Sequence, residues 1–249
     1  MKQYEAVIET IRRLGGIATL GQINQEVFQI EDCEWKSKTP LASIRRIVRH
    51  TEGIYRIKPG LYALESHRHE LEANGVVVET EANRDSQVVQ EFNHAYYQGL
   101  LLIIGNLKQL GTFCPNQDKN KPFATGGTLN DLRSLAQIPA YSYDHLVQRS
   151  STVDVIWFNQ RRMPHSFFEV EHSTDIIHSL GKFTDLQDFN ARMYIVADER
   201  RNEEFKAKYA FAMFEDLYKQ KRVQFLSYSE LGTQYEQILN QQQLSTCIL

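Results

Sequence analysis

The chain has 249 residues, of which 42% are hydrophobic, and a formal net charge of −3. This length suits one large domain or two small ones, and a near-neutral charge does not by itself indicate a nucleic-acid binder. No apolar run is long enough to span a bilayer, and the first five residues lack the hydrophobic core of a signal peptide. The three cysteines are far apart and odd in number, which argues against a disulfide framework or a zinc site. We therefore expect a soluble cytoplasmic protein that does not associate with membranes.

Residues 1–66 are predicted to form a small domain of three helices followed by a hairpin. Apolar residues recur at helical spacing in the first helix, Thr19 is placed to cap the second, and Pro40 suits the first position of the third. This order of elements is that of a winged helix, whose third helix reads the major groove. The helices are predicted over residues 4–14, 20–28 and 40–49, and the strands over residues 54–57 and 61–64.

Basic residues cluster on the third helix and on the hairpin, with few acids beside them. They predict a local positive field, which attracts the phosphates of DNA. The arginines of the third helix lie off its apolar stripe and are expected to face solvent. The alternative to DNA contact is that they only form a solvated face of the helix. The predicted DNA-contacting residues are Lys36, Lys38, Ser43, Arg45, Arg46, Arg49, Arg56 and Lys58.

The same segment resembles the HARE-type winged-helix modules found at the front of bacterial restriction enzymes and in some chromatin factors. The resemblance rests on residues 39–48 and 55–64 and covers most of the domain. It implies that this domain binds double-stranded DNA.

Residues 67–85 are polar and charged and are predicted to be a linker, and residues 86–249 to be a second domain. A long helix over residues 86–110 and an irregular segment over residues 112–150 come first. Strands and helices then alternate, which predicts an α/β fold with a mixed sheet flanked by helices. The strands are predicted over residues 152–158, 167–173, 192–197 and 223–228, and the helices over residues 175–190, 203–219 and 229–239.

Three acids lie within the first two of these strands, namely Asp154, Glu169 and Glu171. Charged side chains are rarely buried without a partner, so carboxylates in buried strands require a cation, and a metal ion is the simplest one. Alternation places Glu169 and Glu171 on one face of their strand, with Asp154 on the neighbouring strand. The structural alternative is an internal ion pair with an arginine such as Arg192.

An early helix, a strand with Asp and a strand with Glu-x-acid resemble the core of PD-(D/E)xK nucleases, here as Asp154 followed by Glu169-Val170-Glu171. The similarity to restriction-endonuclease-like proteins covers roughly residues 86–230. It implies hydrolysis of phosphodiester bonds in DNA with Mg²⁺ held by Asp154 and Glu169. Such an ion polarises the phosphoryl oxygen and lowers the pKa of a bound water.

One position departs from the family, because Glu171 stands where a lysine is usual. Glu171 is then a second metal ligand or the general base, and Lys182 on the next helix is expected to supply the missing positive charge. In this family the first helix often adds a polar metal ligand, for which Glu91 and Gln98 are the candidates. The alternatives are a solvated lysine and ordinary helix surface.

Together these features predict a sequence-specific, Mg²⁺-dependent DNA endonuclease of restriction type, with a winged-helix reader in front of it. A duplex has two strands to cut and the chain offers one set of acids, so a homodimer is expected. The alternatives are a non-catalytic DNA-binding regulator in which Glu171 marks a decayed site, a nuclease that targets methylated DNA, and a structure-specific repair nuclease.

Overall fold

The computed structural model of the chain describes residues 1–37, 39–172 and 175–246, with side chains up to residue 241. It divides into two compact units, one of Met1–Phe92 with the stretch that begins at Gly232, and one of Asn93–Leu231. The predicted domain bounds, residues 1–66 and 86–249 with a linker between them, stay a prediction. The described residues contain no helix that is both long enough and apolar enough to cross a membrane.

The first unit contains the three predicted helices and the predicted hairpin. A strand that the sequence pattern missed, only three residues long, extends the hairpin to an antiparallel sheet in the order β1-β3-β2. The elements are α1 (Gln3–Arg13), β1 (Ile17–Thr19), α2 (Leu20–Glu26), α3 (Pro40–His50), β2 (Ile54–Lys58), β3 (Leu61–Leu64) and α4 (Arg68–Ala73), with 3₁₀ turns at Val27–Gln29 and Glu65–His67.

Local signals in the sequence explain how α2 and α3 begin and pack. Thr19 caps α2 as predicted: its hydroxyl accepts from the backbone N–H of Gln22 (3.2 Å), and the Gln22 side chain accepts from the Thr19 N–H (2.9 Å). Pro40 is the first residue of α3, and the helix buries Ile44 and Val48 of its apolar stripe. The predicted linker is partly helical, because α4 lies within it.

The second unit is built on a mixed five-stranded sheet in the order β4-β5-β6-β7-β8. The pairs up to β6 are antiparallel, and β6 to β8 run parallel. The elements are α5 (Gln87–Leu107), β4 (Gly111–Phe113), α6 (Leu129–Leu132), α7 (Asp144–Ser150), β5 (Val155–Phe158), β6 (Pro164–Glu171), α8 (Ile176–Asp185), β7 (Arg192–Ala197), α9 (Asn202–Tyr209), α10 (Glu215–Lys219), β8 (Val223–Ser227) and α11 (Tyr228–Thr246). The part of α5 before Asn93 and the part of α11 from Gly232 onward belong to the first unit.

The sheet carries a large apolar core, which holds the strands at a fixed register. Fully buried aromatic side chains of β5, β6 and α8 meet here, among them Phe158, Phe167 and Phe183. Trp157 on β5 donates its indole N–H to the Leu101 carbonyl of α5 (3.0 Å). This packing fixes the ends of β5 and β6, where the predicted acids lie.

The helix predicted over residues 203–219 is interrupted in the structure. Phe211 adopts an extended backbone conformation, and a 3₁₀ turn at Ala212–Phe214 separates α9 from α10. The Tyr209 hydroxyl holds this turn, because it donates to the Leu217 carbonyl (2.5 Å) and accepts from the Val223 N–H (3.2 Å). The apolar spacing alone did not reveal this long-range anchor.

Candidate active site

The last residues of β6 bring two carboxylates together on one face of the sheet. Glu169 and Glu171 are almost fully buried, at 2% and 3% exposure. Ser179 of α8 lies within hydrogen-bond distance of both carboxylates, 3.0 Å from Glu169 Oε2 and closer still to Glu171 Oε1. The predicted pairing of these two acids on one strand face is therefore confirmed. Since one hydroxyl has a single proton, Ser179 donates to only one carboxylate at a time.

Lys182 lies one helical turn after Ser179 and points into the same buried region. Its Nζ is 3.0 Å and 2.9 Å from the two oxygens of Glu169 and donates to the Thr152 carbonyl at 2.9 Å. The expected positive charge beside the acids is thus present, and the alternative of a solvated lysine is wrong, since Lys182 is 8% exposed. Asp175 fixes the start of α8 by accepting from the Ile177 N–H (3.0 Å).

Asp154 lies one residue before β5 rather than inside the strand, and reaches across to β6. Its Oδ2 accepts from the backbone N–H of Val170 at 2.7 Å. Burial raises the pKa of Asp154, and it raises the pKa of Glu169 well above its ordinary value, with the Asp154 carboxylate as the next cause. Arg192, the suggested structural partner, is exposed at the start of β7, so the ion pair proposed for it is absent from the described residues.

A second group of polar side chains surrounds Asp154. His94 and Gln98 of α5, four residues apart, lie near it together with Asp118 from the irregular segment. One ligand atom each from His94, Asp118 and Asp154 lies within 4.8 Å of the others. Gln98 is fully buried, and its Nε2 donates to Asp118 Oδ2 (2.9 Å) and to the Asp154 carbonyl (3.2 Å).

The two candidates on the first helix therefore have different surroundings. Gln98 belongs to the group around Asp154. Glu91 is exposed, accepts a hydrogen bond from Gln87 (2.7 Å) and is not part of that group. His94 and Asp118 were not predicted. The available signal was the spacing of His94 and Gln98, which places both on one face of a helix.

The C-terminal end of β6, where Glu171 lies, is fixed by contacts to the backbone. The Tyr228 hydroxyl donates to the Glu171 carbonyl (3.1 Å), and the Tyr228 ring stacks on Tyr97 with centroids 3.8 Å apart. Arg201 donates to the His172 carbonyl (2.9 Å), and its Nη1 lies 3.9 Å from Glu171 Oε2. These contacts hold the backbone that presents Glu169 and Glu171.

The predicted DNA-contacting residues of the first unit fall into two groups. Arg46, Arg56 and Lys36 are exposed, and Ser43 is half-buried. Lys38 lies outside the described residues.

Of the other three, Arg45 is half-buried and Lys58 is buried, whereas Arg49 is exposed as expected, and all three have an acidic partner. Arg49 Nη2 lies 2.7 Å and Arg45 Nε 3.6 Å from the Glu236 carboxylate of α11. Lys58 is buried at 6% exposure and pairs with Glu79 at 2.6 Å. The sequence pattern missed these partners because they are distant along the chain.

Comparison with known proteins gives two matches. A family model described as the type II restriction enzyme NmeDI C-terminal domain matches residues 76–248. The type II restriction enzyme NmeDI of Neisseria meningitidis serogroup C is 38% identical over 71 residues, which are 26% of this chain and 20% of that enzyme. The chain thus aligns with one fifth of the relative's length. No solved structure matches significantly. Because the family model covers more than half of the chain, the chain belongs to the family of the type II restriction enzyme NmeDI C-terminal domain.

Proposed function

We propose that the chain is a Mg²⁺-dependent endonuclease that hydrolyses phosphodiester bonds of double-stranded DNA at specific sequences, as a type II restriction enzyme of the PD-(D/E)xK class. One observation carries the proposal. The partly buried carboxylate of Asp154 and the buried carboxylate of Glu169 lie at the paired ends of β5 and β6, and Lys182 Nζ contacts both oxygens of Glu169. Family membership and the relative's printed name support the same reaction.

The donor chemistry fits a hard divalent cation. Asp154 and Glu169 are carboxylates, the ligands that Mg²⁺ prefers. Among the residues that the structure describes, Asp154 has no lysine or arginine within ion-pairing distance, so its partly buried charge lacks a permanent counterion there. Asp154 and Glu169 would hold such a cation, which would supply that charge, polarise a phosphoryl oxygen and lower the pKa of a bound water.

The protein's own residues then have separate tasks. Lys182 keeps Glu169 in place and provides a positive charge for the negative charge that develops on the phosphate. Glu171 is the proposed general base or further metal ligand, and Ser179 orients its carboxylate. The Val170 N–H fixes the direction of Asp154.

The first unit is the proposed DNA reader, a winged helix made of α1 to α3 and the β2–β3 hairpin. In this fold the third helix enters the major groove and the hairpin contacts the backbone. Arg46 of α3 and Arg56 of β2 are exposed cations on these elements, with Lys36 before α3, and they are suited to contact DNA phosphates. Arg49 of α3 is exposed as well but pairs with Glu236. Ser43 is the proposed contact to a base edge.

A digest of long genomic DNA with Mg²⁺ tests the proposal. We expect discrete bands with the wild-type chain and no cleavage with Asp154→Ala, while Asp188→Ala, an exposed aspartate of the same unit, cleaves like the wild type. DNA that is retarded but intact would identify a non-catalytic regulator. Cleavage confined to methylated DNA, or to branched or mismatched duplexes, would identify the other two alternatives.

A further inference from the structure

The reaction proposed above uses Asp154 but leaves two neighbouring side chains without a task. His94 and Asp118 come from α5 and from the irregular segment after β4, and the fold brings them to Asp154. His94 Nε2 lies 3.8 Å from Asp154 Oδ1, the oxygen that does not accept from Val170. Asp118 is itself buried at 6% exposure.

The spacing of these atoms suits a small cation. The three donor atoms lie within 4.8 Å of one another. Metal–nitrogen and metal–oxygen bonds of about 2.0 to 2.2 Å place donors on opposite sides of an ion at roughly twice that distance. Small rotations of the His94 and Asp118 side chains therefore suffice to bring all three donors onto one ion.

Gln98 is an independent sign of a missing partner. It is fully buried, and its amide head lies against two members of the group through the bonds to the Asp118 carboxylate and the Asp154 carbonyl. Its Oε1 is buried without a hydrogen-bond partner among the described residues. A buried amide oxygen without a partner costs free energy that a bound cation or its water ligand recovers.

The balance of charges around the three donors also favours a bound cation. Glu169 has Lys182, and Asp118 has Lys121, whose Nζ lies 2.6 Å from Asp118 Oδ1. Within the described part of the chain, His94 is the one basic side chain within ion-pairing distance of Asp154. The Lys121 side chain is 39% exposed and can move into solvent when another cation binds Asp118.

We propose that His94, Asp118 and Asp154 form a cation site with one nitrogen and two oxygen donors, which takes a first-row transition-metal ion such as Mn²⁺ or Co²⁺ in preference to Mg²⁺. Imidazole nitrogen favours these ions, whereas Mg²⁺ favours oxygen donors alone. The site shares Asp154 with the proposed nuclease site, but binding there does not require cleavage.

The test measures metal binding to the 249-residue chain after removal of metals with a chelator. Calorimetric titration gives the affinities for Mn²⁺ and Mg²⁺, and pulsed electron paramagnetic resonance of the Mn²⁺ complex detects coupling to a ligand nitrogen. For the wild type we expect ¹⁴N coupling and Mn²⁺ binding at least about tenfold tighter than Mg²⁺ binding.

The variants separate the site from a general loss of structure. His94→Ala should abolish the ¹⁴N coupling, and His94→Ala and Asp118→Asn should each weaken Mn²⁺ binding at least about tenfold. His145→Ala, an exposed histidine of the same unit, should change neither. Lys121→Met removes the competing ammonium group and should tighten Mn²⁺ binding, a gain that misfolding cannot produce.

Two results would overturn the site: Mn²⁺ bound without nitrogen coupling, or equal Mn²⁺ affinity for the wild type and His94→Ala. The proposed nuclease fails separately. If Mn²⁺ binds with nitrogen coupling but DNA stays intact with every metal, the site stands and the endonuclease falls. If Mg²⁺ supports cleavage while His94→Ala leaves Mn²⁺ binding unchanged, the endonuclease stands and the site falls.

Discussion

Lys182 shows how a charged side chain is accommodated between a sheet and a helix. Its ammonium group has three donors, and the structure supplies the two Glu169 oxygens and the Thr152 carbonyl as acceptors. Removing one member of a buried, hydrogen-bonded ion pair leaves the other uncompensated, which costs more than the loss of an exposed pair.

Lys182→Met should therefore lower the free energy of unfolding by about 3 kcal/mol and abolish DNA cleavage. Lys206→Met is the matched control, because Lys206 pairs with Glu203 on the surface (2.6 Å) and both side chains are mostly exposed. The control should stay within about 0.5 kcal/mol of the wild type and keep its cleavage activity. Chemical denaturation and plasmid digestion measure the two effects. A Lys182→Met chain that cleaves at the normal rate would refute the assigned role.

The ionised carboxylate of Asp154 is expected to lower the free energy of unfolding, although the proposed metal site requires this carboxylate. Burial raises its pKa, so the folded chain keeps the proton to higher pH than the unfolded chain does. The unfolded chain ionises first, near the ordinary aspartate value of about 4, and stability is lost as pH rises from there through the folded pKa. Asp154→Asn keeps an acceptor for Val170 but carries no charge.

Without divalent metal, Asp154→Asn should thus unfold about 2 to 4 °C above the wild type at pH 8, and the gain should shrink as pH falls toward about 4. The same substitution should abolish cleavage. Thermal unfolding followed by circular dichroism in chelator measures the difference. A lower midpoint for Asp154→Asn at pH 8 would show that the ionised carboxylate stabilises the fold instead.

The sequence pattern predicts those residues of the candidate site that lie in strongly patterned elements. Glu169 and Glu171 interrupt an apolar strand, and Lys182 follows on a helix whose start and spacing are readable. Asp118 lies in a segment without periodicity, so its meeting with Gln98, 20 residues away, depends on tertiary packing alone. Single-sequence patterns carry local periods and cannot supply such a contact.

At the scale of elements, α3 has one side engaged by α11. Arg45 and Arg49 both lie close to the Glu236 carboxylate, and Arg45 also donates to the Asn240 side chain. The arginine pattern on α3 was read correctly as polar, but it did not identify the partner because Glu236 is 187 residues beyond Arg49. We therefore expect neighbouring arginines of α3 to have different roles, Arg46 in DNA binding and Arg45 in contacts that stabilise the fold.

Arg46→Ala should weaken DNA binding similarly for all sequences and reduce the slope of log affinity against log salt by about 1, as expected for one lost phosphate contact. Arg45→Ala should instead lower stability through the loss of the α11 contacts, with a smaller change in the salt slope. Fluorescence anisotropy at several salt concentrations and thermal unfolding distinguish the two variants. Equal salt slopes for Arg46→Ala and the wild type would show that Arg46 does not contact a DNA phosphate, and would contradict the proposed position of α3 in the DNA interface.

At the scale of the whole molecule, the two strands of the proposed DNA substrate bear on how many chains act together. Each chain offers one group of Asp154, Glu169 and Lys182, whereas a duplex has two antiparallel strands to cut. A twofold axis of the protein placed on the pseudo-twofold axis of DNA brings one group to each strand. A single chain would have to release the duplex, or turn around, between the two cuts.

We therefore predict a homodimer on DNA. Light scattering of Asp154→Ala with a duplex that contains the cleavage site should give the mass of two chains per duplex. With the active chain, supercoiled plasmid should become linear without much nicked circle at high protein concentration, and the rate should rise with about the square of concentration when the protein is dilute, because two chains must meet. A mass of one chain both free and on DNA, with nicked circles as the main early product, would show that each chain cuts one strand alone.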